Sequence, residues 1–306
     1  MTSPAAPLTL MAASFALFGY SWAFAPDEAL HSPQKVGASL LLPRRAPSSV
    51  LAHPRLQASG KAPFLVHGFD HPGEIALTFD DGPHPIHTAR LLDILARHEA
   101  QATFFVNGMW LDRARGSVGR SRSVLMRAEL EGHTIGNHTY SHALLSRLPP
   151  EKQRWEIVAN EVLVSQITGS RMRLFRPPYG QLTAFSSSVL REYGYQIAMW
   201  NITAPEDEMG EDPTLIAKDL LRWMRHHEGG ILLLHDRHPW SVDAAEIFLG
   251  KLHAINCRRL RRGDNLYRVV PLDSFLRSPA ESRDLAAQTA KDRAQHRQRL
   301  ERLCQR

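Results

Sequence analysis

The strongest constraint on the fold is an alternation of short apolar runs with helical patterns between Gly73 and Leu276. The apolar runs are nearly continuous, which is typical of strands covered on both faces of a sheet. Helical patterns lie between them, for example over 86–99 and over a long segment that ends near Gly169. This alternation predicts an α/β fold, with a parallel sheet or a barrel of βα units. The apolar runs are 75–79, 102–106, 134–135, 174–176, 197–200, 231–234 and 267–270.

Polar side chains directly follow four of these apolar runs. In parallel α/β folds the carboxyl ends of the strands meet at one edge, and the chemistry is located there. The sequence therefore predicts that these polar groups line a single rim. They are Asp80, Asp81, Asn137, His138, Arg176 through Gly180, His235 and Asp236.

Two aspartates and two histidines on this rim have the composition of a metal site. Asp80 and Asp81 end the first run, and adjacent strand side chains point to opposite faces, so the two carboxylates can take different roles. An Asx turn or a helix N-cap is the alternative role for such a pair. His138 and His142 are four residues apart, a spacing that can direct both imidazoles at one ion. Two surface histidines without a metal are the alternative. One carboxylate and two imidazoles are a common zinc ligand set that leaves one position open.

The remaining acid–base groups fit hydrolysis at such a site. Zinc lowers the pKa of a bound water from about 15.7 to about 7. The second aspartate could accept the proton of that water. His235, which ends a buried run, is a suitable general acid because an unperturbed imidazole has a pKa of about 6.5. The alternative for His235 is an imidazole at the edge of the core that hydrogen-bonds a loop.

Four segments resemble, in order, the motifs of the NodB-homology polysaccharide deacetylases (carbohydrate esterase family 4). The resemblance covers roughly residues 70–276, and a chance match at four ordered motifs is improbable. It implies a distorted (β/α) barrel of the NodB-homology deacetylase type, with a divalent metal in its mouth. The segments are 78–83 (TFDDGP), 138–142 (HTYSH), 176–180 (RPPYG) and 233–235 (LLH), with similar connecting segments at 102–106, 131–133 and 194–195.

The resemblance also implies a role for each motif residue. Asp80 would be the catalytic base and Arg176 would pair with it and orient it. His235 would protonate the departing amine, and the backbone N–H of Tyr179 would stabilise the oxyanion. Zn2+, or another divalent cation such as Co2+, would be bound by Asp81, His138 and His142.

The resemblance also predicts substrate contacts, and the sequence differs from the family pattern at one position. Trp200 and Leu233, with Tyr179 beside them, would line a small apolar pocket for the acetyl methyl group, unless Trp200 and Leu233 simply belong to the core. Thr203 stands where the family often has an aspartate that orients the acid histidine. A neutral threonine would support an imidazolium less well. A second aspartate of that motif could be replaced by Glu206 or Asp207.

The implied function is a metal-dependent hydrolase that removes N-acetyl groups from amino sugars in a chitin-like or peptidoglycan-like glycan. A catalytically impaired sugar-binding module with the same fold is one alternative, which the change at Thr203 favours. The presence of both Asp80 and His235 favours an enzyme instead, because a binding module needs neither a base nor an acid. A deacetylase or amidase acting on another acetylated substrate, such as O-acetyl xylan, is the second alternative.

Composition narrows the class of protein further. A hydrophobic fraction of 43% excludes a wholly disordered chain, and a mean hydropathy of −0.29 excludes a polytopic membrane protein. The net charge of +6 favours acidic surfaces only weakly. We expect an acetylated glycan as partner, no nucleic acid and an association with the cell envelope, and the oligomeric state stays open. Two unpaired thiols are favoured over a single Cys257–Cys304 bridge.

The two ends of the chain differ from the deacetylase-like domain at 70–276. Residues 1–25 include an uncharged apolar stretch that predicts a signal peptide or membrane anchor, although no basic residue precedes it. Residues 26–69 are rich in Pro and Ser and predict a linker. Residues 277–306 are charged and predict a solvated helix or a disordered tail. We expect a periplasmic, cell-envelope or secreted protein rather than a cytoplasmic one.

Overall fold

The structure is a computed structural model that describes residues 65–66, 68, 71–112, 118–204, 211–276 and 286–305. The predicted signal peptide or anchor at 1–25 lies outside these ranges, as does most of the predicted linker at 26–69. None of the helices in the described ranges combines the length and the apolar character needed to cross a bilayer.

Within the described ranges, nine strands form one sheet in which all strand pairs are parallel. The sheet order is β1-β6-β5-β4-β3-β2-β8-β7, and β9 pairs with the start of β2. This arrangement confirms the predicted distorted (β/α) barrel. The strands are β1 (Leu65–Val66), β2 (Glu74–Asp80), β3 (Ala102–Val106), β4 (Thr134–Asn137), β5 (Leu174–Phe175), β6 (Gln196–Ala198), β7 (Ile202–Thr203), β8 (Gly230–His235) and β9 (Arg268–Val269).

Seven α-helices in the described residues connect and cover these strands. The sequence pattern predicts α1 and also the end of α3, where Gly169 adopts the left-handed conformation of a C-cap. It misses α4 and α6. The buried face of α6 includes small residues such as Ser241, Ala244 and Ala245, which give a weak amphipathic signal. The helices are α1 (His87–Arg97), α2 (Val118–Leu130), α3 (Pro150–Thr168), α4 (Ala184–Glu192), α5 (Pro213–His226), α6 (Pro239–Arg262) and α7 (Ala286–Leu303).

Alternation along the strands separates two apolar clusters on opposite sides of the sheet. The larger cluster includes Ile75, Leu77 and Phe79 of β2 and packs against the helices. The smaller cluster contains Ala76, Phe105, Leu174, Ala198 and Ile231. Continuing the period of two along each strand places the polar rim residues on the side of the smaller cluster. On this side are the rim residues Asp80, Arg176 and His235, together with Trp200, which packs against the smaller cluster.

The described structure includes elements outside the predicted domain boundaries. In the predicted linker, Leu65 and Val66 pair in parallel with Ile197 and Ala198 of β6. In the predicted tail, α7 packs against α6 and buries Leu300. The tail therefore contains a helix, as one of the two alternatives predicts, but α7 is docked on the domain rather than fully solvated.

A disulfide fastens this last helix to the domain. Cys257 of α6 is bonded to Cys304, which follows α7, and their Cα atoms are 5.5 Å apart, an ordinary spacing for such a bridge. The prediction of two unpaired thiols is therefore wrong. The return of the tail to α6 brings the two cysteines together, and no local pattern around either cysteine encodes that contact.

Candidate active site

The carboxyl ends of the strands bring the three predicted metal ligands together. Asp81 Oδ1 lies 3.5 Å from His138 Nε2 and 3.3 Å from His142 Nε2. The candidate ligand atoms of these three residues all lie within 4.8 Å of one another. Ligands at zinc-binding distances of about 2.0–2.2 Å in a tetrahedron are separated by roughly 3.4 Å. The spacing therefore suits a single small cation.

Hydrogen bonding also fits a cation between these groups. Asp81 Oδ1 is buried and has no hydrogen-bond partner among the described residues. An unsatisfied buried carboxylate oxygen is costly, and a bound cation would satisfy it. His138 Nδ1 lies 2.7 Å from the carbonyl oxygen of Arg176, which assigns the proton to Nδ1 and leaves the Nε2 lone pair for a metal. The residues present therefore fit a divalent metal.

Electrostatics keeps Asp81 and His142 in their metal-binding forms at neutral pH. Burial acts to raise the pKa of Asp81, but the nearby His142, His235, His138 and Arg237 hold it below its usual value. Burial lowers the pKa of His142 to about 4, with Asp81 opposing this shift and His138 adding to it. Metals bind ionised carboxylates and neutral imidazoles, so both residues are ready for a cation.

The loops that carry the ligands adopt left-handed backbone conformations. Positive φ is uncommon outside glycine and clusters at functional sites, where the surrounding structure holds it. Asn107 contributes to this support, because its side-chain amide donates to the carbonyl oxygens of His138 (2.5 Å) and Thr139 (3.2 Å). The residues of these loops with positive φ are Asp81 (φ 73°), Thr139 (67°), His142 (59°) and Tyr179 (58°).

Glu156 of α3 fixes the loop between the two histidines. Its carboxylate accepts hydrogen bonds from the backbone N–H of Ser141 at 2.8 Å and from the Ser141 hydroxyl at 2.6 Å. Its carbonyl oxygen accepts from the backbone N–H of Tyr140 at 2.9 Å. Sequence reasoning missed this residue. The available signal is an acidic side chain immediately before the apolar pair Ile157 and Val158.

Arg176 is fully buried and holds the second aspartate. Its Nη1 donates to Asp80 Oδ1 at 2.8 Å and to Thr78 Oγ1 at 2.7 Å. Burial lowers the pKa of the guanidinium, while Asp80 opposes this effect. The remaining donors bond the carbonyl oxygens of Ala198 and Met199, both at 3.0 Å.

Asp80 connects this arginine to the candidate metal site. While Oδ1 accepts from Arg176, Oδ2 lies 3.7 Å from His138 Nε2. Arg176 therefore fixes the orientation of a carboxylate whose other oxygen faces the ligands.

Three residues predicted to contact substrate surround this centre. Tyr179 is 48% exposed, and its ring centre lies 4.9 Å from that of His142. Trp200 is half-buried, with its ring centre 5.6 Å from the Arg176 guanidinium. Leu233 is buried on β8, two residues before His235, and so faces the same side of the sheet. Their contact with substrate stays a prediction.

His235 ends β8 directly beside Asp80, because the two residues are partners in the β2–β8 register. Thr203 pairs with Leu233 on the other edge of β8 and is exposed. Glu206 and Asp207 lie outside the described residues. A replacement for the aspartate that supports the acid histidine therefore stays a prediction.

Comparison with known proteins adds to this geometry. The sequence profile of a family described as "Polysaccharide deacetylase" matches residues 66–198, which contain Asp80, Asp81, His138, His142 and Arg176. A solved structure of peptidoglycan deacetylase PdaC from Bacillus subtilis is 30% identical, with a TM-score of 0.56 over 71% of this chain and 98% of that one. The chain belongs to the polysaccharide deacetylase family.

Curated relatives in the family are longer than the region they share with this chain. Peptidoglycan-N-acetylmuramic acid deacetylase PdaC from Bacillus subtilis is 34% identical over 58% of this chain and 35% of its own length. A chitin deacetylase from Pestalotiopsis sp is 36% identical over 56% of each protein. The chain thus spans about a third of the first relative and about half of the second.

This family member carries a buried carboxyl group behind the site. Asp236 directly follows β8, and its Oδ2 accepts a hydrogen bond from the Thr88 hydroxyl, whereas its Oδ1 has no hydrogen-bond partner in the described part of the chain. Burial raises the pKa of Asp236 to about 7, with Thr88 opposing and Asp81 and Asp80 adding to the shift. A side chain at Gly82 would overlap the Asp236 carboxyl group. The sequence places Asp236 on the rim but gives it no role.

The raised pKa of Asp236 predicts a pH dependence of stability in metal-free protein. Between about pH 4 and pH 7 the folded state holds a proton that the unfolded chain releases, so stability falls as pH rises through this range. Asp236→Asn removes the titration and keeps an acceptor for Thr88. We expect the Tm of this variant relative to wild type to increase across the range, measured in chelator. A difference that stays flat would contradict the assignment.

Proposed function

We propose that the chain is a metal-dependent hydrolase that removes N-acetyl groups from amino sugars in a glycan. The observation that carries the proposal is the meeting of Asp81, His138 and His142 at one point, with Asp80 beside them. His235 lies on the adjacent strand, next to Asp80 in the register. Family relatives named peptidoglycan and chitin deacetylases support this reaction class.

Each residue has a distinct task in this proposal. Zn2+ or another divalent cation such as Co2+, held by Asp81, His138 and His142, would polarise the acetyl carbonyl and lower the pKa of the attacking water. Asp80 accepts a proton from that water, with Arg176 holding it in position. The Tyr179 backbone N–H stabilises charge on the carbonyl oxygen. His235 donates a proton to the nitrogen as the C–N bond breaks, which yields acetate and a free amine.

The substrate we propose is a chitin-like or peptidoglycan-like chain with N-acetylated sugars. The names of the relatives support this class, since one is a peptidoglycan-N-acetylmuramic acid deacetylase and another a chitin deacetylase. Trp200 and Leu233 supply an apolar lining for the acetyl methyl group.

A sugar-binding module without activity is the competing function, and the exposed Thr203 favours it. The buried pair of Arg176 and Asp80 weighs against it. Burying two charges has a desolvation cost that hydrogen bonds only partly offset. A binding module gains nothing from an oriented carboxylate beside its metal, whereas a hydrolase gains a base.

We further propose that the chain functions in an oxidising compartment, such as the periplasm, the cell envelope or the medium. The disulfide between Cys257 and Cys304 supports this location, because such bridges persist mainly outside the reducing cytosol. The cell envelope is also where a peptidoglycan-like substrate is located.

Acetate release from N-acetylglucosamine oligomers tests the activity. We expect release by the purified chain, its loss in chelator, and its recovery when Zn2+ or Co2+ is added back, because the cation supplies the activated water. The same protein treated with the metal-saturated chelator serves as the control. The binding module would be favoured if protein that holds one zinc released no acetate from N-acetylglucosamine oligomers, muramic-acid-containing oligomers or acetylated xylan.

A further inference from the structure

The positive charge of this chain is concentrated near its carboxyl terminus. The last 56 residues, 251–306, contain 14 of the 37 Lys and Arg but only 6 of the 31 Asp and Glu. They therefore carry a net charge of +8, while residues 1–250 carry −2. The overall charge of +6 does not describe an evenly basic surface.

The structure places the described part of this charge, on the end of α6 and on α7, opposite the candidate active site. The helix α7 contacts groups at the amino ends of strands: Arg299 pairs with Glu99 at 2.9 Å, shortly before β3, and His296 Nε2 lies 3.1 Å from the carbonyl oxygen of Tyr267, just before β9. The metal ligands lie at the carboxyl ends of the strands. The seven residues of β2 separate the two edges by roughly 20 Å.

The disulfide brings together segments of α6 and α7 that carry exposed arginines. Arg258 and Arg261 follow Cys257 by one and four residues on α6, and Arg302 precedes Cys304 by two. These three arginines, which we call the basic surface, are exposed and form no ion pair with a described acidic residue. Neighbouring arginines differ, since Arg262, Arg297 and Arg299 pair with Asp264, Glu301 and Glu99.

We propose that the basic surface binds the anionic phosphate headgroups of a phospholipid membrane and holds the active-site rim away from the bilayer. Planar guanidinium groups match phosphate oxygens, and each basic residue at an anionic membrane strengthens binding by roughly fivefold. Leu303, which follows Arg302 in the sequence, is 39% exposed and adds an apolar side chain at this end of α7. A bilayer offers both phosphate and an apolar boundary, whereas a dissolved polyanion offers phosphate alone.

Sedimentation of the full chain with vesicles tests this proposal. We expect stronger binding to phosphatidylcholine vesicles containing phosphatidylglycerol than to phosphatidylcholine alone, and weaker binding in high salt. The triple variant Arg258→Gln, Arg261→Gln, Arg302→Gln should lose about 100-fold in affinity for the anionic vesicles. The N-terminal apolar stretch is uncharged and common to all variants, so binding through it would not distinguish phosphatidylglycerol from phosphatidylcholine.

A matched variant distinguishes binding through the basic surface from binding through the net charge of the protein. Lys152→Gln, Arg191→Gln, Lys218→Gln removes the same charge from exposed positions on α3, α4 and α5, and we expect nearly wild-type binding. An equal loss in both triple variants would overturn the proposal, as would indifference to phosphatidylglycerol. Binding to a soluble glycerol-phosphate polymer but not to vesicles would make the partner a polymer and the proposal wrong.

Hydrogen exchange on the wild-type chain gives a test that needs no variant. Anionic vesicles should slow exchange at 258–262 and 286–305 and leave α3 and α4 unchanged. Unaltered exchange across α7, under conditions where the protein sediments with the vesicles, would place the contact elsewhere and overturn the proposal. Neither readout depends on deacetylase activity.

Discussion

Asp80→Asn should lower acetate release from N-acetylglucosamine oligomers by about 10²- to 10⁴-fold, the usual contribution of a general base. Asparagine has the same shape and can still accept the Arg176 hydrogen bond through its carbonyl oxygen. It cannot accept a proton from water. The proposed metal ligands are Asp81, His138 and His142, so we expect zinc content close to the wild-type value.

Initial rates at saturating substrate, together with elemental analysis of the same preparation, measure this effect. Asp93→Asn is a matched control, because Asp93 is an exposed aspartate that pairs with Arg127 on a different surface. Its activity should equal that of wild type. Near-normal turnover by Asp80→Asn would show that another group is the base, and loss of zinc would show that Asp80 is a ligand.

Arg176→Met should reduce the free energy of unfolding by about 3–5 kcal/mol, the usual cost of leaving one partner of a buried ion pair alone. The substitution leaves the carboxylate of Asp80, which is 3% exposed, without its ion-pair partner. It also removes the donors that hydrogen-bond the carbonyl oxygens of Ala198 and Met199. Urea unfolding of chelator-treated protein measures the change, since a bound metal would add its own stabilisation.

A double-mutant cycle isolates the charge effect in this prediction. In an Asp80→Asn background, Arg176→Met no longer leaves a buried carboxylate unpaired, so we expect a clearly smaller loss of stability. The lost bonds to the two carbonyl oxygens remain in both backgrounds. An equal loss with and without the Asp80 charge would mean that Arg176 acts through packing and backbone contacts rather than through its ion pair.

The strands could be predicted because buried strands consist of short runs of apolar residues, which are visible in the local sequence. All five residues of β3, Ala102–Val106, are buried and apolar or Thr, and its bounds match the predicted run. By contrast, Leu130, the last residue of α2, is 80% exposed although it is a large apolar residue. Exposure of a single apolar side chain depends on which neighbour covers it, and that neighbour is distant in sequence.

The meeting of the candidate ligands could also be predicted, because parallel strands carry Asp81 and His138 to the same edge of the sheet. The supporting contacts could not. Glu156 bonds Ser141 from another element, and Thr88 bonds Asp236 across 148 residues. Such partners are set by how α3 and α1 pack on the sheet. The bridge from Cys257 to Cys304 likewise depends on the path of the chain back to α6.

Metal content tests the central claim most directly, namely that Asp81, His138 and His142 form one cation site. Wild-type protein loaded with zinc and dialysed should retain one zinc per chain by elemental analysis, and His138→Ala prepared in parallel should retain none. Wild-type protein without zinc, or a His138→Ala variant that keeps its full complement, would contradict the account.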